Sequence, residues 1–240
     1  MSFTEHESVR KGIRTEYLGP SRILEDHMTA QQAWQRNEAA PSTAYKVGRL
    51  TVEPDLLSKV VEQLGQETGL TILGLRGNTL GNQLELESNQ GASPFLEYFL
   101  NVCGQRFAEF VKEDLRQIVP DYEPDTLQEI YGGPYQLAEG NDWHRDWLHG
   151  RGLTYTVTVI GNPTVFAIGK FLQSDFKGSQ RDMFDGPEPE DTFTPELGDI
   201  IVHHDKAGLH RAPSKGHNGK MRVFASISAL AAFTSLENNM

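Results

Sequence analysis

The stretch NDWHRDWLHG, residues 141–150, sets His144 and Asp146 one residue apart between Trp143 and Trp147. In an extended strand the side chains at i and i+2 leave the same face, so this imidazole and carboxylate can converge on one point, and that point suits a metal ion. A third candidate ligand, His210, lies in DKAGLHRAPS, just past the strand-like GDIIVHH (198–204), where the chain re-enters a sheet after a turn. In a strand, neighbouring side chains point oppositely, so at most one of His203 and His204 faces inward, and His210 ranks ahead of either as a ligand. His6, His27, His149 and His217 sit in turn-like or terminal contexts and read as solvated.

Two neutral imidazoles and one carboxylate leave several coordination positions open, the set used in non-haem Fe(II) oxygen chemistry. An α-keto acid would take two of those positions and O2 the last, with Asp146 supplying charge compensation. Arg222 opens the apolar strand MRVFASISAL. A guanidinium there is costly to bury alone and reasonable if it forks onto a carboxylate. Alternation puts Arg222, Phe224 and Ser226 on one face, so the Ser226 hydroxyl can donate to the same anion. A dicarboxylic keto acid, 2-oxoglutarate, would span from the metal to Arg222. Tyr131, on a strand entering the site, offers a hydroxyl to that acid or a rim position. Tyr135, Trp143 and Arg145 are candidates for a substrate pocket, although alternation turns Trp143, Arg145 and Trp147 away from the face of His144 and Asp146.

Elements on either side must hold these residues. EPDLLSKVVEQLGQETG (53–69) carries Leu56, Leu57, Val60, Val61 and Leu64 at helical spacing. Ser93 and Pro94 read as the cap and first residue of a long helix ended by Pro120, with an apolar stripe from Phe95 through Phe107 to Ile118. From there LQEIY (127–131), LTYTVTVI (153–160), TVFAIGKF (164–171), GDIIVHH and MRVFASISAL (221–230) are β-branched or aromatic and bounded by turn residues, hence strands. Helices followed by strands predict an α+β domain over 1–240. Residues 1–50 form a weakly patterned, partly mobile segment with one helix near Ile23–Arg36; residues 51–125 give helical support, and 126–232 the β core. The acidic, Pro- and Gly-containing 173–195 reads as a surface loop at the mouth of a site.

Composition narrows the function classes. The formal charge of −11 repels nucleic acid and anionic membrane surfaces, and no basic run offsets it. Cys103 is the single cysteine, which excludes an intrachain disulfide or Cys-based zinc cluster and suits a reducing cytoplasm. No apolar leader and no run of about 18 apolar residues occurs, so a cytoplasmic chain is expected.

The ordered set His144-Arg145-Asp146, His210 and Arg222, with LQEIYGGPYQLAEGNDWHRD before it and GDIIVHHDKAGLHRAP within it, resembles the Fe(II)/2-oxoglutarate-dependent oxygenases over roughly residues 127–230. That resemblance implies a double-stranded β-helix, or jelly-roll, braced by the N-terminal helices. It also implies Fe(II) and 2-oxoglutarate as cofactors, with ascorbate as an accessory reductant. The implied reaction decarboxylates 2-oxoglutarate to succinate while hydroxylating an unactivated C–H bond of a small molecule such as an amino acid or natural product. Halogenases of the family replace the carboxylate with a small residue, so Asp146 favours hydroxylation, desaturation or ring closure. Three other readings stand beside this one: a cupin-like metalloenzyme using His203 or His204 and no keto acid, a hydroxylase of protein residues, and a non-catalytic module that keeps only the fold.

Overall fold

The longest helix begins as its sequence dictates. Ser93 accepts from the Leu96 backbone N–H at 3.3 Å, and Pro94 occupies the first helical position, where a missing N–H costs nothing. In the computed structural model, which describes residues 2–66, 75–78, 93–118, 128–136, 143–145, 153–177, 182–204, 208–211 and 221–229, this helix is α4, Pro94–Ile118. Pro120 lies outside the described residues. Before it come α1 (Phe3–Gly12), α2 (Ile23–Gln35) and α3 (Pro54–Gln66); of the five apolar residues at helical spacing in the last, Leu56, Val60 and Leu64 are buried, Leu57 is half-buried and Val61 is exposed.

Fourteen strands are formed among the described residues. They are β1 (Ile13–Tyr17), β2 (Ala40–Ser42), β3 (Ala44–Val52), β4 (Leu75–Asn78), β5 (Gln128–Gln136), β6 (His144–Arg145), β7 (Leu153–Ile160), β8 (Val165–Phe171), β9 (Phe176–Lys177), β10 (Asp182–Phe184), β11 (Asp191–Phe193), β12 (Asp199–His204), β13 (His210–Arg211) and β14 (Met221–Ala229). All pair antiparallel, in two sheets: β1-β3-β12-β7-β14-β5-β4, and β11-β8-β13-β6-β10-β9 with β2 added to β8. The α+β class with antiparallel sheets is thus as expected.

The larger sheet shows the two-residue period of a sheet covered on both sides. Leu153, Tyr155, Val157 and Val159 of β7, Ile200 and Val202 of β12, and Val223 and Ile227 of β14 join one core with Phe99, Phe107, Val111 and Leu115 of α4. Thr154, Thr156 and Thr158 take the alternate positions of β7, also buried. His203 of β12 reaches across to Phe166 of β8, ring centroids 5.3 Å apart, so the second sheet lies over this more polar face. The helix comes very near the other face at Gly48, where a Cβ would stand 2.3 Å from the Phe110 ring and 2.6 Å from the Glu16 carbonyl oxygen.

The structure departs from expectation in three places. Residues 1–50 hold two helices and three strands, with β1 and β3 extending the larger sheet. Their pattern is faint because β1 buries only Ile13 and an irregularity between Ile200 and Ile201 shifts the register of β12 on β3. The span 51–125 contains a strand, β4, which pairs with β5. The span 173–195 contains a 3-10 turn (Gln173–Asp175) and β9, β10 and β11, which contribute backbone to the second sheet and too few residues to show a period.

Asp114 interrupts the apolar stripe of α4. Its side chain is fully buried and accepts from the Tyr155 hydroxyl at 2.7 Å. Burial pushes its carboxyl pKa above the usual range, against the opposing pull of the Tyr155 and Tyr17 hydroxyls. Tyr17, though exposed overall, is in turn pushed up to about 12 by partial desolvation of its hydroxyl against α4 and by the Asp114 charge. The folded protein therefore holds this proton more tightly than the unfolded chain does. The stabilisation is complete below the unfolded carboxylate pKa of about 3.9 and is lost as pH rises through the higher folded value. Subtracting the stability-versus-pH curve of Asp114→Asn from that of the wild type should leave a curve falling over that window; a flat difference would show that Asp114 does not titrate this way.

Candidate functional site

His144 and His210 come together through strand pairing. The two-residue β13 is held between β6 and β8, so that His210 pairs directly with His144 on one side and with Phe166 on the other. Directly opposed residues in an antiparallel pair present their side chains on one face. The two imidazoles accordingly lie side by side, ring centroids 4.6 Å apart, each about 7% exposed. Phe166 continues the row at 5.9 Å from His210. His203, from the opposing sheet, closes over His210 at 4.9 Å.

A hydrogen bond sets the tautomer of His210. Its Nδ1 lies 2.8 Å from the Gly208 carbonyl oxygen, which can only accept. Nδ1 therefore carries the proton, and Nε2 keeps the lone pair that a metal would take. Gly208 is itself held by its N–H donating to the His204 carbonyl at 2.6 Å. A Cβ on this glycine would meet His203 Nδ1 at 2.4 Å and the His204 carbonyl oxygen at 2.7 Å, so only glycine brings the turn this close.

The other face of β6 carries packing. Trp143 joins Ala167 and Leu209 in a small separate core, with the Arg211 guanidinium 4.4 Å above its ring. Arg211 is further held by Glu188 at 2.9 Å. Arg145 is buried between Phe176, 3.9 Å from its guanidinium carbon, and Trp34 of α2 at 5.5 Å. Alternation along β6 thus turns Trp143 and Arg145 away from the imidazole pair and toward aromatic and apolar neighbours. The expectation for His203 and His204 holds in the same way: His203 faces His210, while His204 leans on Trp34, centroids 6.5 Å apart. His6, read as solvated, instead stacks on Tyr98 at 4.2 Å.

Asp146, Trp147, His149 and His217 lie outside the described residues. For Tyr131, Tyr135 and Arg222 the strand backbones are described. Arg222 is the register partner of Tyr135, and Ser226 pairs with Tyr131 on one side and Thr156 on the other. Ser226 is half-buried. Among the described residues no three His, Cys, Asp or Glu side chains are arranged to hold an ion. His203 therefore does not complete a set with His144 and His210. The donor chemistry of that pair, two imidazole nitrogens, fits a borderline metal such as Fe(II).

Sequence reasoning did not find Phe166, Gly208, Trp34 or Ser42. Ser42 is buried in β2, and its Oγ accepts from the Leu209 N–H and donates to the Ala167 carbonyl, both at 2.9 Å. No local pattern could have found it, because its partners are 167 and 125 positions away.

No family model matches the sequence, and no curated protein matches it significantly. Solved structures similar to this one include an oxidoreductase of the 2OG-Fe(II) oxygenase family from Burkholderia pseudomallei, 14% identical with a TM-score of 0.35, covering 85% of this chain and 88% of that one. A selenomethionine-labelled Fe(II)/α-ketoglutarate-dependent dioxygenase, TqaL, is 9% identical with a TM-score of 0.41, covering 96% of this chain and 90% of that one. Likeness at this level is too distant to carry fold or function from those proteins to this chain.

Proposed function

We propose that this chain is a non-haem Fe(II)- and 2-oxoglutarate-dependent dioxygenase on a double-stranded β-helix, hydroxylating an unactivated C–H bond of a small molecule such as an amino acid or natural product. One observation carries the reading. His144 and His210, from strands far apart in sequence, are paired across one sheet with adjacent rings, and His210 is locked in the tautomer that presents Nε2.

His144 and His210 supply two neutral nitrogens, and Asp146 supplies the carboxylate. Iron held by them would supply the activation of O2 coupled to oxidative decarboxylation of 2-oxoglutarate. Arg222 forks onto the distal carboxylate of the keto acid, and Ser226, with Tyr131 as its register partner, donates a hydroxyl to the same region. Phe166 and His203 wall the imidazole pair and limit water around it. The net charge of −11 favours approach of cationic substrates. Among the described residues no helix is long and apolar enough to cross a membrane.

The direct test is anaerobic addition of Fe(II) and 2-oxoglutarate. A weak visible charge-transfer band is expected, followed in air by succinate formation that the correct small molecule stimulates. A colourless mixture with no succinate would reject the reading. A panel of amino acids and small metabolites, scored by stimulated decarboxylation, then identifies the substrate class.

A further inference from the structure

The bonds at Gly208, Leu209 and Ser42 form one continuous path. The Gly208 carbonyl and the Leu209 N–H belong to a single planar peptide unit. Its oxygen accepts from His210 Nδ1 at 2.8 Å, and its N–H donates to Ser42 Oγ at 2.9 Å. Ser42 Oγ then donates to the Ala167 carbonyl at 2.9 Å, where the path ends; separately, the Ala167 N–H, on the preceding peptide unit, donates to the Leu209 carbonyl at 2.8 Å and holds the two segments together. The three donors from the imidazole to the Ala167 carbonyl point the same way, so each of these bonds polarises the next. The path is shielded from water: Ser42, Leu209 and Ala167 are each about 1% exposed or less.

We infer that Ser42 is a positioning residue for His210: its hydroxyl fixes the plane of the Gly208–Leu209 peptide, whose carbonyl in turn fixes the tautomer and plane of the imidazole. This rests on the reading of His210 as an iron ligand. The N-terminal strand β2 then takes part in building the metal site, although it lies far from either histidine in sequence. Without the hydroxyl, the buried Leu209 N–H loses its acceptor and the peptide can turn to find another. A turned peptide withdraws the carbonyl from Nδ1 and releases the proton to the other nitrogen, the one needed for the metal.

The experiment uses full-length protein with labelled histidine. Two-bond proton–nitrogen correlation spectra of the metal-free protein, at a pH where the ring is neutral, report which nitrogen of His210 is protonated. The wild type should show Nδ1–H, Ser42→Ala a raised Nε2–H fraction, and Ser42→Thr the wild-type pattern. Co(II) affinity should fall roughly 10- to 100-fold in Ser42→Ala, as for lost outer partners of ligating histidines, and return in Ser42→Thr. If Ser42→Ala does not fold, Ser42→Cys keeps the volume with a weaker donor and acceptor and should shift both readouts in the same direction. A wild-type His210 protonated at Nε2, or a Ser42 variant with tautomer and Co(II) affinity both unchanged, overturns the inference. Should the wild type and His210→Ala bind Co(II) equally poorly, the iron reading is what fails, and the tautomer comparison still decides the role of Ser42.

Discussion

Replacing His210 with alanine is expected to abolish Fe(II)-dependent succinate formation, and His144→Ala and Asp146→Ala should do the same. Each removes one of three proposed ligands, and the loss should exceed the roughly 10- to 100-fold that follows removal of an outer partner. Folding should survive at His210, because β13 is held to β6 and β8 by backbone pairing and the His210 side chain belongs to neither hydrophobic core cluster that flanks it. The control is His203→Ala. His203 touches the His210 ring at 4.9 Å, yet it forms no ion-holding group among the described residues, so its removal should leave a measurable metal site. Turnover and Co(II) binding within tenfold of wild type in His210→Ala would remove the basis of the proposed centre.

Arg222→Ala should raise the 2-oxoglutarate KM roughly 10- to 100-fold with a smaller change in kcat. Hydrogen bonds to a charged partner are worth about 1.5–3 kcal/mol, and about 1.4 kcal/mol is tenfold in affinity. Arg222→Lys should recover only part of the loss, because an ammonium cannot fork onto both carboxylate oxygens. β14 should fold in either variant, since it is paired on both sides and anchored in the core by Val223 and Ile227. An unchanged KM in Arg222→Ala would show that the keto acid is held elsewhere.

These expectations differ in how far local sequence supports them. α3 and α4 are legible because apolar residues recur on one helical face, and β7, β12 and β14 because β-branched and aromatic residues recur in short runs between turn signals. His144 and His210 are legible by type and by their position at strand ends. The strands that align them are not: β6 and β13 are two residues long, and no period can be read from two residues. Asp114 is hidden for the opposite reason, a carboxylate in a position that the helical period assigns to the core, kept there by a tyrosine hydroxyl from β7. Arg145 and Trp34 likewise meet through tertiary packing of α2 on β6, which neither segment announces.

The place of β3 in the larger sheet bears on how the chain can be shortened. It covers one flank of β12 along Asp199–His203, and β1 in turn covers β3, presenting exposed Arg14 and Glu16 at the rim. Charged rims of this kind resist edge-to-edge growth, whereas a bare strand of Ile200, Ile201 and Val202 invites it. A fragment starting after Val52 would trade the first rim for the second, and its insolubility would be misread as a folding defect of the residues that remain.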